Sequence, residues 1–163
     1  MRALYAAFAR LCEAIPYAFL AFVCRVAAAV PFWRSGQAKL DGGAFLGVKY
    51  DLFHLKASQA YLFANEFHFP EAVAPIAAQL AAIGENILSP LLIIGLFGRA
   101  SALGLLVMTA VIQFYVYPSE LLNPHGNWSE HLLWAAPLFV ILARGPGALS
   151  IDALAPKGRA RLA

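Results

Sequence analysis

The stretch Val73–Phe97, VAPIAAQLAAIGENILSPLLIIGLF, decides the fold: 25 mostly apolar residues with an ionisable group, Glu85, near their midpoint. At about 1.5 Å of rise per residue such a helix crosses a hydrocarbon core of about 30 Å with some tilt. A carboxylate in mid-span costs on the order of 2.5–3.5 kcal/mol, so the chain must supply a partner for it. The search for that partner orders the remaining sequence.

Composition agrees with a membrane protein. Hydrophobic residues make up 61% and charged residues 13%, against about a quarter charged in soluble domains. The net charge of +3 is small and the basic residues gather near segment ends, without the basic stripe of a nucleic-acid binder. Cys12 and Cys24 show neither CxxC nor metal-ligand spacing, so no metal site is expected.

The apolar mass divides into four blocks, over residues 11–33, 73–97, 100–117 and 128–143. Before the first, Arg2 and Arg10 flank Leu4, Tyr5 and Phe8 in an amphipathic lead-in suited to a membrane interface. The first block is longer than a signal-peptide core and carries Arg25, which argues against a cleaved leader. The connection that follows is too polar to span. Its second half, YDLFHLKASQAYLFANEFHF, spaces its aromatics as a helix or two over residues 50–67, lying along the outer face as a lid. Glu71 is placed to give the second span an acidic first turn, and Ser150 to cap a last short turn. The third block closes with FYVYP, an interfacial aromatic belt before a helix-stopping proline.

Topology follows from lysine and arginine. With both termini inside, Arg2, Arg10, Arg99, Arg144, Lys157, Arg159 and Arg161 face the cytoplasm, against Arg34, Lys39, Lys49 and Lys56 outside. The expectation is one domain over residues 1–163: an all-α membrane protein, a four-transmembrane-helix bundle with an outer interfacial helical segment between the first two spans. It would sit in a membrane with both termini cytoplasmic.

In that arrangement Arg25 and Glu85 lie at matching depths, and the cost of either charge alone predicts that they pair. Asn86, Gln113 and His131 join them in a candidate pocket opening outward, with Arg34, Gln37 and Lys39 at its mouth. Plainer roles compete for each. The pair can be a register device, Gln113 interhelical glue, and His131 an interfacial residue. Ala74, Ala78 and Ala82, spaced by four, read as a close-packing seam. Four histidines, at most one of them within a span, do not suit a bis-histidine haem.

Three stretches together carry a resemblance: FWRSGQAKL with its SGxxKL, the long run from Ala78 to Pro118 with its mid-span glutamate and following arginine, and HLLWAAPLFVILARGPGALSIDAL with its GPGxLSxD. The chain resembles the DoxX family of small four-helix bacterial membrane proteins, between about Arg25 and Asp152. The resemblance singles out Gly36, Lys39, Glu85, Arg99, Gly145, Pro146, Gly147, Ser150 and Asp152. Relatives are linked to a thiosulfate:quinone oxidoreductase, to redox-stress complexes and to metal-handling operons. It therefore implies a small component of a redox system, with a quinone as the cofactor it would hold and a soluble or membrane redox protein as partner. The pocket would take a quinone headgroup or a small anion. Two other readings stay open: a non-catalytic subunit or assembly partner of a larger complex, and a small-solute transporter.

Overall fold

A computed structural model describes residues 1–154 of the chain. Six α-helices account for most of it: α1 Arg2–Glu13, α2 Tyr17–Lys39, α3 Ser58–Asn65, α4 Ala74–Ile94, α5 Gly98–Val111 and α6 Trp128–Arg144. A π-helical turn, Ile112–Val116, prolongs α5, and a two-stranded hairpin, β1 Ala44–Phe45 with β2 Val48–Lys49, follows α2. Among the described residues three helices are long and apolar enough to cross a membrane: Tyr17–Lys39, Ala74–Ile94 and the continuous Gly98–Val116. The fourth, α6, has 17 residues.

Helices α2, α4, α5 and α6 form a ring in which each packs on the next and α6 closes on α2. Neighbours run antiparallel. Ser35 meets Glu85 while Arg25 meets Ile93, and Gly84 lies against Met108 while Gly104 lies against Leu88. The pattern of burial is that of a protein solvated by lipid. Large apolar side chains such as Phe19, Phe22, Leu80, Ile87, Leu103, Val107, Leu133 and Phe139 point outward and exposed. The interior holds many small residues, Ala21, Ala28, Ala29, Ala82 and Ala102, beside Phe32, Leu92, Leu105, Leu138 and Ile141, together with Arg25, Glu85, Asn86, Ser89, Gln113 and His131. Water would reverse that distribution, whereas lipid tails accept the apolar exterior and reward close packing through small residues.

The first apolar block is not one helix. Pro16 lacks an N–H and restricts Ile15, so α1 stops at Glu13 and a new helix begins at Tyr17. The span thus runs from Tyr17 to Lys39 and not over 11–33, and the SGQAK segment expected in the connection forms its last turns. In the connection, residues 50–57 are not helical. The chain turns tightly through Leu46 and Gly47, both at positive φ (49° and 82°), to make the hairpin. Only Ser58–Asn65 is helical there, and its Phe63 seats on Ala74 and Ala78 of α4. The alanine spacing therefore serves as the seat of an aromatic ring. Glu71 precedes α4 and does not enter its first turn. The Ser150 hydroxyl donates to the carbonyl of Gly147 at 2.6 Å and leaves its short turn uncapped. Lys157, Arg159 and Arg161, counted in the charge argument, lie outside the described residues.

The two ends of the bundle are built differently. At the Gly95 end, Asp152 accepts from the amides of Phe97 and Gly98 at 2.8 Å each and so caps α5, while the Tyr17 hydroxyl donates to the Gly145 carbonyl at 2.7 Å. At the Lys39 end, Gln37 ties the hairpin to the bundle: it accepts from the Lys49 amide at 2.7 Å and donates to Asn86 at 2.6 Å. Gln79 donates to the Leu52 carbonyl at 2.6 Å and holds the next part of the connection down on α4.

Candidate functional site

The structure divides the predicted cluster into three places. Arg25, fully buried, is the ninth residue of α2 and lies at the Gly95 end, where its guanidinium donates to the carbonyls of Ile93 (2.8 Å) and Leu149. Ile93 is in the last turn of α4, whose carbonyls have no helical partner and carry the negative end of the helix dipole. Arg25 answers that need and not the charge of Glu85. The expected Arg25–Glu85 pair is absent because the helix begins later than the hydropathy suggests, which lowers Arg25 by about two turns.

Glu85 has another partner. One carboxylate oxygen accepts from Lys39 Nζ at 2.6 Å, the other from the Ser35 hydroxyl at 3.3 Å, and Lys39 also donates to Ser35 at 2.7 Å. Both side chains of the ion pair are largely sequestered, with exposures of 12% for Lys39 and 4% for Glu85. Ser35 and Lys39 are one turn apart on one face of α2, so the lysine stem runs back along the helix to reach an acid placed deeper. Gly36 permits the approach. A β-carbon there would sit 2.8 Å from the Glu85 β-carbon and 2.6 Å from Asn86 Nδ2.

This triad forms one wall of a cavity of about 660 Å³ between α2, α4, α5 and α6, under the aromatic residues Phe63, Phe67 and Phe69. Most of the lining is apolar. Its polar points are Ser35, Lys39 and Glu85 on one side and Asn127, Glu130, His131 and the ring of Tyr117 on the other. Burial, then Glu120 and Glu66, hold the Tyr117 phenol above its usual range, so it stays a neutral hydroxyl. Leu80, Val107 and Val111 line the cavity and are also exposed on the apolar exterior, so it reaches the outer surface between α4 and α5. A molecule with an apolar body can enter there from the side.

Asn86 and Gln113 are buried but do not line the cavity. Asn86 donates to its own helix at Ala82 O (2.8 Å) and accepts from Gln37. Gln113 stands behind His131, 2.7 Å from its Nδ1. Arg34 and Gln37, placed at the mouth by the sequence, face a separate shallow depression with Trp33, Val48 and Lys49, whereas Lys39 is inside. Sequence reasoning missed Ser35, Tyr117 and Trp134. Ser35 was signalled by its four-residue spacing from Lys39, Tyr117 depends on how α5 ends, and Trp134 lies one turn from His131 on α6. Among the described residues no cluster of three His, Cys, Asp or Glu side chains is placed to hold a metal ion.

The aromatic cover is tied to the bundle by Tyr115, which packs tilted against Phe69 (ring centroids 4.7 Å apart) and donates to the His68 carbonyl at 3.2 Å, and by Tyr117 edge-on to Phe67. Tyr115→Phe is expected to leave the melting temperature within about 2 °C, as for loss of one exposed hydrogen bond, while amide exchange over residues 66–69 quickens several-fold. Unchanged exchange would show that the bond does not hold the cover.

Fold and cavity together define a small helical membrane protein with an amphipathic cavity beside a buried lysine–glutamate pair. A family model, DoxX, matches residues 20–118. The chain belongs to the DoxX family. No curated protein and no solved structure matches it.

Proposed function

We propose that the protein is a small component of a redox system in the bacterial inner membrane and that its cavity holds a quinone headgroup. The observation that carries this reading is the juxtaposition of a largely apolar cavity, open toward the lipid-facing surface, with the buried hydrogen-bonding groups of Glu85 and His131 on its walls. An anion such as thiosulfate finds less support. Arg25 is engaged by backbone carbonyls outside the cavity, and Lys39 is already neutralised by Glu85.

In this reading α6 is a fourth span, at about 26 Å near the short end of the usual range. Both termini are cytoplasmic. Arg2, Arg10, Arg99 and Arg144 belong to the Gly95 end, and Arg34, Lys39, Lys49 and Lys56 to the other. Exposed Leu4, Tyr5, Phe8 and Leu11 lay α1 on the cytoplasmic membrane surface, and the hairpin with α3 covers the periplasmic end.

The test is binding of a short-chain quinone, oxidised and reduced, to the protein in nanodiscs, read by quenching of Trp134 after Trp33→Phe and Trp128→Phe. Saturable quenching is expected, with no response to thiosulfate. Ala81→Phe, which fills the cavity, should weaken binding at least tenfold. Absence of quenching in the parent would defeat the proposal and leave the protein as a non-catalytic subunit.

A further inference from the structure

The rim opposite Lys39 specifies which hydrogen-bonding role a headgroup must play. Pro118 disfavours α-helical backbone at Tyr117, which adopts φ −123° and ψ 52°. The helix closes before it with a π turn, Tyr117 N–H to Ile112 O at 3.0 Å. The Tyr117 carbonyl, lost to the helix ladder, accepts from Gln113 Nε2 at 3.2 Å and from the Glu120 amide at 3.2 Å. An amide that donates with its nitrogen to a carbonyl has only its oxygen left for the other side. That oxygen, Gln113 Oε1, lies 2.7 Å from His131 Nδ1, and two acceptors cannot bond, so Nδ1 carries the proton.

The neutral His131 ring is thereby held as the Nδ1–H tautomer, and its Nε2 is left as a lone-pair acceptor. Nε2 has no partner among the described residues, and His131 lines the cavity between the rings of Tyr117 and Trp134. We infer that His131 Nε2 accepts a hydrogen bond from a hydroxyl of the cavity ligand, so that the site takes an apolar-bodied phenol or quinol in preference to its carbonyl form, with Gln113 as the positioning residue. This rests on the cavity reading above and adds the ligand's donor role. A quinone oxygen facing an imidazole lone pair would leave two buried acceptors opposed, and a hydroxyl resolves that conflict.

Two measurements on the parent protein test this. The ¹⁵N spectrum of the His131 ring near pH 8 should show a protonated Nδ1 and an unprotonated Nε2, the tautomer less favoured by free histidine. Binding of a short-chain hydroquinone, its quinone and its dimethyl ether should then rank the hydroquinone about tenfold or more above the other two, the loss expected when a buried acceptor goes without its donor. Gln113→Leu frees the ring, and should both shift the ¹⁵N pattern toward Nε2–H and erase the ranking. If quinone and ether bind as tightly as hydroquinone, or if the parent ring is Nε2–H, the inference is overturned while the cavity reading stands. If none of the three binds, both fall together.

Discussion

Glu85→Gln is expected to destabilise the protein by about 3 kcal/mol, roughly 6–12 °C in melting temperature, although it preserves the shape of the side chain. The reason is Lys39. Its ammonium, 2.6 Å from Glu85 and largely sequestered, would keep its desolvation cost and lose the countercharge. Lys39→Met should cost a similar amount from the other side, stranding the carboxylate on Ser35 alone. The double variant should recover most of the loss, because a neutral pair removes both desolvation terms at once. A coupling energy of about 2 kcal/mol or more between positions 39 and 85 is the expected signature. Arg25→Met combined with Glu85→Gln should instead be additive within about 0.5 kcal/mol. Equal coupling of Arg25 and Lys39 to Glu85, measured by thermal unfolding in detergent, would contradict the ion-pair assignment.

That contrast between two cations also shows how far the sequence reaches. Hydropathy located the long apolar helices, and the cost of a mid-span acid required a partner for Glu85, because both arguments need only composition and spacing along one helix. The partner's identity needed a start point. Reading the first span over 11–33 put Arg25 past its middle, while Pro16 makes Arg25 the ninth residue of a helix that ends at Lys39. A shift of six residues, about 9 Å along the axis, exchanges one cation for another. The same physics held in both readings, since each buried charge does have a partner. For Arg25 the partner is a helix terminus, which no spacing of charged residues announces.

The cavity was less legible than the pair. Of the five residues expected to form it, Glu85 and His131 line it, and Gln113 acts behind His131. What the sequence could not show is that Pro118 ends α5 through a π turn, which presents Tyr117 to the cavity and gives Gln113 its carbonyl. The hairpin escaped for a related reason. Its turn places Leu46 at positive φ, where Asn or Gly would have been the recognisable signal.

The Gly95 end has its own decisive position, and Gly95→Ala is expected to have a large effect for a single methyl addition. Gly95 ends α4 at φ 69° and ψ 36°, with its amide on the carbonyls of Leu91 and Leu92 and the Leu96 amide returning to Leu91 O at 2.9 Å. Its own carbonyl accepts from the Asp152 amide at 3.0 Å, which draws the C-terminal GPGALSID segment under the helix. A β-carbon at this point would collide with the Arg25 guanidinium and the Ser150 side chain, and would lie 3.0 Å from the Ser150 α-carbon. Left-handed strain alone costs about 1 kcal/mol. Displacing a fully buried guanidinium from the Ile93 and Leu149 carbonyls adds several more, since a buried charge parted from its acceptors keeps its desolvation cost. A loss above about 4 kcal/mol, seen as aggregation in place of a monodisperse peak in detergent, is the expected result. Gly47→Ala separates the two contributions. Its φ of 82° is as unfavourable, but no atom lies within 4 Å of the added methyl, so only the strain of about 1 kcal/mol should appear. Comparable losses at positions 95 and 47 would mean that the seat of Arg25 against the end of α4 contributes nothing to stability, and Arg25 would then need another reason to be buried.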